Sequence, residues 1–321
     1  MDLERMLARC KANQWDIEDL DWTVTPREMT RDEEMAVVQY FTDMAGIEML
    51  AGELFKVQCE RSDDPILREI FSTFVVDEIR HAAIAARLAD HYDVHRYRKY
   101  VENPSLTRFR PHFVHAIRHV SAEVANGYIT GGELLLDVAL LRSLNDYVHD
   151  SMSQQAMDLI NKDESRHIAM DFYMVEFYAS DEYQAWMKTQ PAPTPRQRLD
   201  GAWAVGNLVR HAAPFFRDVF FGPLDRVDPS GKRAREAFKR LQLIGTREKV
   251  RERPFWKLVL AGRQLFNHPL SGKPVKAIAS RVAGLPATYM QHLYSKDEMI
   301  RTRSESMDTL AREAVELKFQ N

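Results

Sequence analysis

A five-residue motif occurs twice in this chain. It reads Asp77-Glu78-Ile79-Arg80-His81 in one half and Asp163-Glu164-Ser165-Arg166-His167 in the other, so both copies have the pattern D-E-x-R-H. A single glutamate in an apolar, glycine-bearing stretch, Glu48 or Glu133, precedes the glutamate of each motif by 30 or 31 residues. The repetition indicates a duplicated helical hairpin.

The spacing brings the repeated residues to one level. Residues i and i+3 share a face of an α-helix, so the glutamate and histidine of each motif lie side by side. About 30 residues span half a helix, a turn and the returning half of an antiparallel partner, so each single glutamate returns to the level of its motif. The predicted metal ligands are Glu48, Glu78, His81, Glu133, Glu164 and His167.

Burial of four carboxylates favours metal binding. An isolated E-x-x-H pair on a helix is usually solvated, but unpaired carboxylates inside apolar helices are costly, and metal coordination offsets that cost. Because a metal-bound histidine usually donates its other N–H to a carboxylate, we expect Asp77 and Asp163 to support the ligands. Thr130, one turn before Glu133, is a candidate for proton delivery. Asp137, one turn after Glu133, is either a further acid at the site or a polar contact elsewhere.

Composition is typical of a globular protein, with 45% hydrophobic and 28% charged residues. No stretch approaches 18 uninterrupted apolar residues, so we expect no membrane-spanning segment, and the N-terminus lacks the pattern of a signal peptide. Cys10 and Cys59 have no metal-type spacing and require no disulfide. We therefore expect a cytoplasmic protein.

Three regions are predicted. Residues 1–29 form an N-terminal arm with Trp15 and Trp22 as anchors, and residues 30–225 form the helical bundle with one added helix. Residues 226–321 form a basic helical extension packed on the bundle. The predicted helices cover residues 30–61, 65–91, 111–147, 153–179, 195–220 and 296–318.

The charge is unevenly distributed. Residues 232–281 contain 14 Lys and Arg against three acidic residues, although the net charge of the chain is −3. This basic tract could fold onto an acidic bundle, bind an acidic partner such as an acyl or peptidyl carrier protein, or bind nucleic acid or a membrane surface. No nucleic-acid fold motif accompanies the charge, so we expect no nucleic-acid partner.

The two motifs, each preceded by its single glutamate, resemble those of ferritin-like diiron oxygenases over about residues 30–180. The pattern is most similar to the p-aminobenzoate N-oxygenase family, and acyl-ACP desaturases have similar motifs. The resemblance implies an all-α fold, with a ferritin-like four-helix bundle and additional C-terminal helices. It also implies two iron ions that activate O2, with electrons from an external donor. A manganese–iron pair is compatible with the same ligands.

The implied reaction is hydroxylation, desaturation or N-oxygenation of a small organic or carrier-tethered substrate. Arylamine N-oxygenases carry an additional histidine ligand one turn before the glutamate of the second motif, where this chain has Ile160. The radical-generating subunit of ribonucleotide reductase places a tyrosine where this chain has Ala85. A ferroxidase, or another metal-binding bundle without an organic substrate, is the alternative. An electron-transfer partner and a homodimer are also expected.

Glycine is enriched in the two helices that carry the single glutamates. Because glycine inside a helix costs on the order of 1 kcal/mol relative to alanine, its presence needs a reason. Either the helices pack closely at these positions, or the missing side chains leave space beside the metals for O2 and substrate. The glycines are Gly46, Gly52, Gly127, Gly131 and Gly132.

Overall fold

The structure is a computed structural model that describes residues 1–316, and no strand occurs in that range, which confirms the predicted all-α fold. Two π-helical stretches, Leu134–Leu141 and Phe216–Phe221, each connect two α-helices. The α-helices are α1 (Leu3–Ala12), α2 (Arg31–Arg61), α3 (Pro65–Tyr92), α4 (Pro104–Ile117), α5 (Ala122–Glu133), α6 (Arg142–Val148), α7 (Ser151–Ala179), α8 (Asp181–Thr189), α9 (Pro195–Phe215), α10 (Gly222–Val227), α11 (Lys232–Ile244), α12 (Pro254–Asn267), α13 (Gly272–Ala283), α14 (Lys296–Ser304) and α15 (Met307–Glu316).

Local capping determines where the first two long helices begin. The Thr30 hydroxyl accepts a hydrogen bond from the Glu33 N–H, and the Glu33 carboxylate accepts one from the Thr30 N–H at 2.8 Å. The Asp64 carboxylate accepts from the Ile66 N–H, and Pro65 occupies the first turn of α3. An N-cap of this kind contributes about 1 kcal/mol. Both helix starts lie where the sequence predicted them.

The single helix predicted over residues 111–147 is wrong. Helix α4 ends at Ile117, and a new helix begins at Ala122. The reason is local, because the Ser121 hydroxyl accepts a hydrogen bond from the Val124 N–H at 3.2 Å and so caps α5.

The helix predicted over residues 296–318 is also divided. Helix α14 ends at Ser304, and the Ser306 hydroxyl caps the next helix by accepting from the Thr309 N–H at 3.1 Å. Residues 317–318 of that prediction lie outside the described residues. The sequence analysis also missed α1 and α8.

Helices α2 and α3 form the first hairpin. They run antiparallel, since the ring of Phe41 stacks on that of Tyr92 with centroids 5.6 Å apart, while Phe55 contacts Phe74 at 5.2 Å further along the pair. These aromatic contacts lie on either side of the positions that carry Glu48 and Glu78. The packing therefore fixes the level at which the two glutamates meet.

The second hairpin consists of α5, the following π-helical stretch and α6, paired with α7. The Asn126 amide donates to the Asp171 carbonyl at 3.2 Å, and the Ser153 hydroxyl donates to the Asn145 side chain at 2.8 Å, which again shows an antiparallel pair. Helix α2 contacts α5, and α3 contacts α7, so the two hairpins lie side by side.

The remaining helices cover these hairpins. Helix α1 contacts α3 and α7, α4 contacts α2 and α9, and α12 contacts α5. Helix α11 packs on the π-helical stretch that follows α5, and α15 packs on α7. The C-terminal helices thus pack on the elements that carry the predicted ligands, while the predicted boundaries at residues 29 and 225 stay a prediction.

One helical stretch, Ala122–Val148, has the length and composition of a membrane-spanning helix, with a mean hydropathy of 1.2 over its most apolar part. Of that part, 67% is buried inside the protein, as in the core helix of a soluble protein. The stretch also contains the buried acids Glu133 and Asp137. The prediction that the chain does not cross a membrane stays a prediction.

We expect alanine to have opposite effects at two glycines of α5. A Cβ at Gly127 would lie 2.5 Å from the Phe255 ring, whereas a Cβ at Gly132 would have no heavy atom within 4 Å. Overpacking should make Gly127→Ala less stable by about 1 to 2 kcal/mol. Helix propensity should make Gly132→Ala more stable by up to about 1 kcal/mol. Urea unfolding measures both, and stability changes of the same sign would contradict this packing.

Candidate metal centre

The six residues predicted as ligands converge between the two hairpins. They form two groups of four, and within each group the ligand atoms lie within 4.8 Å of one another. Glu78 and Glu164 belong to both groups, Glu48 and His81 complete one, and Glu133 and His167 complete the other. All six side chains are buried, and the most exposed is only 7% accessible. A buried carboxylate–histidine cluster that could hold metal is therefore present.

Each histidine turns one nitrogen toward the carboxylates and the other toward an aspartate. His81 Nδ1 lies 2.9 Å from Glu164 Oε1, and His81 Nε2 lies 3.1 Å from Asp163 Oδ2. His167 Nδ1 lies 3.1 Å from Glu78 Oε1, and His167 Nε2 lies 3.4 Å from Asp77 Oδ2. A proton on Nε2 that bonds to the aspartate leaves the lone pair of Nδ1 free for a metal.

Each aspartate thus contacts the histidine of the other motif. Asp163, of the second motif, contacts the histidine of the first motif, and Asp77, of the first motif, contacts the histidine of the second. The sequence predicted that both aspartates support the site but not that they do so across the hairpins. The spacing within one helix cannot show this, because the contact depends on how α3 packs against α7.

Two arginines hold the aspartates in place. Arg166 Nη2 lies 2.5 Å from Asp163 Oδ1 and 3.3 Å from Asp77 Oδ2. Arg80 Nη2 lies 3.0 Å from Asp77 Oδ1, and its Nη1 lies 3.4 Å from Asp163 Oδ2. Burial opposes ionisation of Asp77, but His167 and Arg166 outweigh it and lower the pKa of this carboxyl. An ionised Asp77 accepts a hydrogen bond from the histidine.

The N-terminal arm completes this network, which the sequence analysis did not foresee. Trp15 Nε1 donates to Asp163 Oδ2 at 2.7 Å, and Gln14 Nε2 donates to Asp77 Oδ1 at 3.2 Å. The Trp15 ring also stacks on His81, with centroids 6.4 Å apart, and Arg80 lies over the same ring. Trp15 was predicted to anchor the arm. Its indole N–H donates to Asp163, the aspartate that contacts His81.

Apolar rings shield the other histidine. The Phe74 ring lies 4.2 Å from that of His167, and the Phe55 ring lies 5.0 Å from it. Both phenylalanines are fully buried. Because water is kept from this side of the cluster, electrostatic interactions among the ligands are stronger than they would be in water.

Burial and mutual repulsion set the protonation of the carboxylates. Burial raises the pKa of Glu48 well above its ordinary value, and the charge of Glu78 adds to this shift. Burial likewise raises the pKa of Glu133, to which Glu164 contributes. For Glu164, burial is outweighed by His167 and His81, which hold its pKa well below the usual range.

The surrounding carboxylates raise the pKa values of both histidines predicted as ligands. Burial lowers the pKa of each, but a hydrogen bond to Asp163 and the nearby carboxylate of Glu164 raise that of His81 well above its ordinary value. The charge of Glu164 and a hydrogen bond to Asp77 do the same for His167. Protons on these histidines therefore balance part of the buried negative charge.

Several buried ligand atoms have no hydrogen-bond partner. They are Glu48 Oε1, both carboxylate oxygens of Glu78, and His81 Nδ1, whose 2.9 Å contact with Glu164 does not have hydrogen-bond geometry. Leaving such atoms unpaired is costly, and a cation placed between them would satisfy them. The donor set, carboxylate oxygen with imidazole nitrogen, suits iron or manganese.

The other predicted site residues have different surroundings. Thr130 is fully buried and donates to the Asn126 carbonyl one turn earlier at 2.8 Å, so its hydroxyl is tied to its own helix. Asp137 is buried within the π-helical stretch that begins directly after Glu133, and its charge contributes to the raised pKa of that ligand. π-Helical turns occur frequently at functional sites.

Asp171 is an acidic residue near the cluster that sequence reasoning missed. It lies one turn after His167 on α7, is fully buried, and neither carboxylate oxygen has a hydrogen-bond partner. Burial raises the pKa of Asp171 well above its ordinary value, and the charges of Glu164 and Glu78 add to this effect. Its position one turn after His167 could have identified Asp171 as a site residue. The equivalent position in the first half is Ala85, however, so the repeat did not point to it.

An apolar cavity of about 200 Å³ opens beside the cluster. Glu48 and Glu133 lie in its wall and are its only charged lining groups in the described part of the chain. Aromatic side chains from α4, α9 and α12 line the rest, together with aliphatic residues. Gly131 and Gly132 also line it, whereas Gly127 packs closely against Phe255. Close packing therefore accounts for Gly127, whereas Gly131 and Gly132 lie in the wall of the cavity. That this space serves O2 and substrate stays a prediction.

We expect metal binding to release protons. Because the pKa values of Glu48, Glu133, His81 and His167 are raised, these groups keep protons that a cation must displace. Affinity for Fe(II) or Mn(II) should therefore fall as the pH is lowered. Anaerobic titration calorimetry in two buffers of different ionisation enthalpy measures the number of protons released, and a value of zero would contradict these protonation states.

We expect Trp15→Phe to weaken metal binding by about tenfold, since loss of a group that supports a ligand costs roughly 10- to 100-fold in affinity. The substitution keeps an aromatic ring beside His81 but removes the N–H that reaches Asp163. Trp22→Phe is the matched control, because Trp22 Nε1 donates to the Ile17 carbonyl instead. Competition with a chelator measures both, and equal affinities in the two variants would contradict a supporting role for Trp15.

Comparisons with protein-family models, curated proteins and solved structures give no match for this chain. The interpretation of the site therefore depends on its own geometry.

Proposed function

We propose that the chain is a ferritin-like diiron oxidoreductase that activates O2 to oxidise an organic substrate. The observation that carries the proposal is the pair of four-ligand groups that share Glu78 and Glu164. Glu78 and Glu164 with Glu48 and His81 would hold one cation, and Glu78 and Glu164 with Glu133 and His167 would hold the other. This is the ligand set of dinuclear carboxylate bundles.

The residues present fit two divalent cations. Four buried carboxylates balance two such ions, and the unpartnered oxygens of Glu78 lie where the two ligand groups meet. Two bound iron ions would supply the reduction of O2 and the oxidation of the substrate. The same ligands suit a manganese–iron pair, and the reaction requires electrons from an external donor.

The chain itself supplies orientation and exclusion of water. Asp77 and Asp163 keep the Nε2 proton on each histidine, so that Nδ1 faces the metals. Arg80 and Arg166 form ion pairs with these aspartates and hold them in position. Phe74 covers His167 and limits the access of water from that side. These contacts preorganise the ligands before metal binds.

The apolar cavity supports an organic substrate over iron storage. Its walls are aliphatic and aromatic except for Glu48 and Glu133, which would face both the metals and the substrate. A dry apolar cavity of roughly 150 Å³ can hold benzene, so a cavity of about 200 Å³ suits a small aromatic group or a short alkyl segment. Iron storage gives no reason for such a cavity.

The surroundings of Ile160 favour hydroxylation or desaturation over N-oxygenation. Ile160 is fully buried in an apolar cluster with Leu88, Met157 and neighbouring residues. The additional histidine ligand of the arylamine N-oxygenases has no counterpart at this position. The six-ligand site is more similar to that of the desaturases and hydroxylases.

We expect the wild-type chain to bind about two iron ions, and the reduced, iron-loaded protein to give a transient visible absorption band on mixing with O2. Glu78→Gln/Glu164→Gln removes both shared carboxylates at nearly constant volume and should abolish the band and most of the bound iron. Glu69→Gln/Glu176→Gln is the matched control, since these exposed glutamates lie on the same two helices, α3 and α7.

Full iron binding in the Glu78→Gln/Glu164→Gln variant would overturn the assignment of the ligands. Two bound irons that consume O2 and release a ferric mineral, with no oxidation of any acyl or aromatic compound tested, would instead favour the ferroxidase alternative.

A further inference from the structure

Helices α9, α12 and α13 expose large apolar side chains to solvent. Leu270 lies in the turn between α12 and α13 and is 85% exposed, and Leu199 and Trp203 on α9 are each 72% exposed. Leu258 on α12 and Ile278 on α13 are 71% and 63% exposed. An apolar surface of this kind on a soluble domain usually marks an interaction site.

These side chains occupy neighbouring outer faces. Helix α13 contacts both α9 and α12. A Cβ at Gly201 would lie 3.6 Å from His119, in the turn that follows α4, so that side of α9 faces the protein. Leu199 and Trp203 are each two residues from Gly201 and therefore lie on the opposite, outer side of the helix. The exposed apolar groups thus lie on three helices, of which α13 contacts the other two, and together these helices form the α9–α12–α13 face.

The same region is positively charged. Residues 253–296 contain seven Lys and Arg and not one Asp or Glu. Lys257, Lys273 and Arg281 are exposed on α12 and α13, and the side chain of Arg196 on α9 is 92% exposed. Long basic side chains interleaved with exposed apolar groups give helices that are amphipathic and cationic.

The combination of exposed apolar and basic side chains indicates what binds to this face. A second copy placed symmetrically on this face would bring like charges together, which is unfavourable. Helices with Leu and Trp beside Lys and Arg insert their apolar groups at a bilayer boundary, while their cations attract anionic headgroups. We infer that the α9–α12–α13 face docks on an anionic membrane surface.

Docking would place the lipid close to the apolar cavity. Phe215 at the end of α9 and Phe255 at the start of α12 line that cavity, and both helices contribute to the docking face. Delivery of an apolar substrate from the bilayer rests on the proposed function. Docking itself does not, since it requires no metal and is measured without turnover.

The test is sedimentation of the full chain with vesicles of neutral phosphatidylcholine alone or mixed with 40% anionic phosphatidylglycerol. We expect binding to the anionic vesicles that weakens as salt is raised, and little binding to the neutral ones. Lys273→Glu/Arg281→Glu should lower the partition coefficient at least about 30-fold. Lys99→Glu/Lys188→Glu is the control, because it changes net charge equally at exposed positions outside the region.

A second pair of variants tests the apolar contribution. Leu270→Asp/Ile278→Asp should also lose binding, whereas Val94→Asp/Val101→Asp, exposed elsewhere, should lose much less. Circular dichroism shows whether each variant is folded, and the salt dependence of the wild-type protein tests the proposal without any substitution.

Equal binding to neutral and anionic vesicles, or no binding to either, would overturn the proposal. So would a dimer that Leu270→Asp/Ile278→Asp converts to a monomer, since the face would then join two copies of the chain. Binding to an acidic carrier protein in place of vesicles would likewise overturn it and assign the face to that partner.

Discussion

The cost of burying like charges governs the centre of this protein. Four buried glutamates and two histidines form two overlapping groups, and within each group the candidate ligand atoms lie within 4.8 Å of one another. Desolvation and repulsion raise the pKa values of Glu48 and Glu133 in particular. The two histidines, whose pKa values are raised, offset part of this negative charge when they are protonated. The surrounding helices hold these side chains together, and cations placed between the carboxylates would offset their repulsion.

The network of Asp77, Asp163, Arg80 and Arg166 holds the two histidines of the cluster in position. Asp163 accepts hydrogen bonds from Trp15, His81, Arg80 and Arg166, which come from the arm and from both hairpins. Removing one partner from a buried charged network leaves the others uncompensated, so its members depend on one another. Packing of the N-terminal arm is thereby coupled to the orientation of a ligand more than 60 residues away in the sequence.

Much of the centre could be predicted because its chemistry is local in sequence. The spacing of Glu78 and His81 fixes their common face, and the duplication identifies Glu48 and Glu133 as the returning partners. Contacts that depend on tertiary packing do not produce a pattern that can be read from the sequence. Nothing in the sequence pairs Trp15 with Asp163, and the helix break at Ser121 was missed because one serine in a long apolar–polar pattern is a weak signal. The all-α class was predictable, but the cavity was not, since distant helices build its walls.

The exchange of aspartates between the motifs bears on how such a chain arose. In a single hairpin the aspartate of the motif does not contact the histidine of the same motif. A single hairpin would also contain only one of Glu48 and Glu133. Two identical hairpins related by a twofold axis would make both exchanged contacts at once. The internal duplication is thus what fusion of two copies of an ancestral homodimer would leave. The two halves are not identical, since Asp171 of the second half occupies the position of Ala85 in the first.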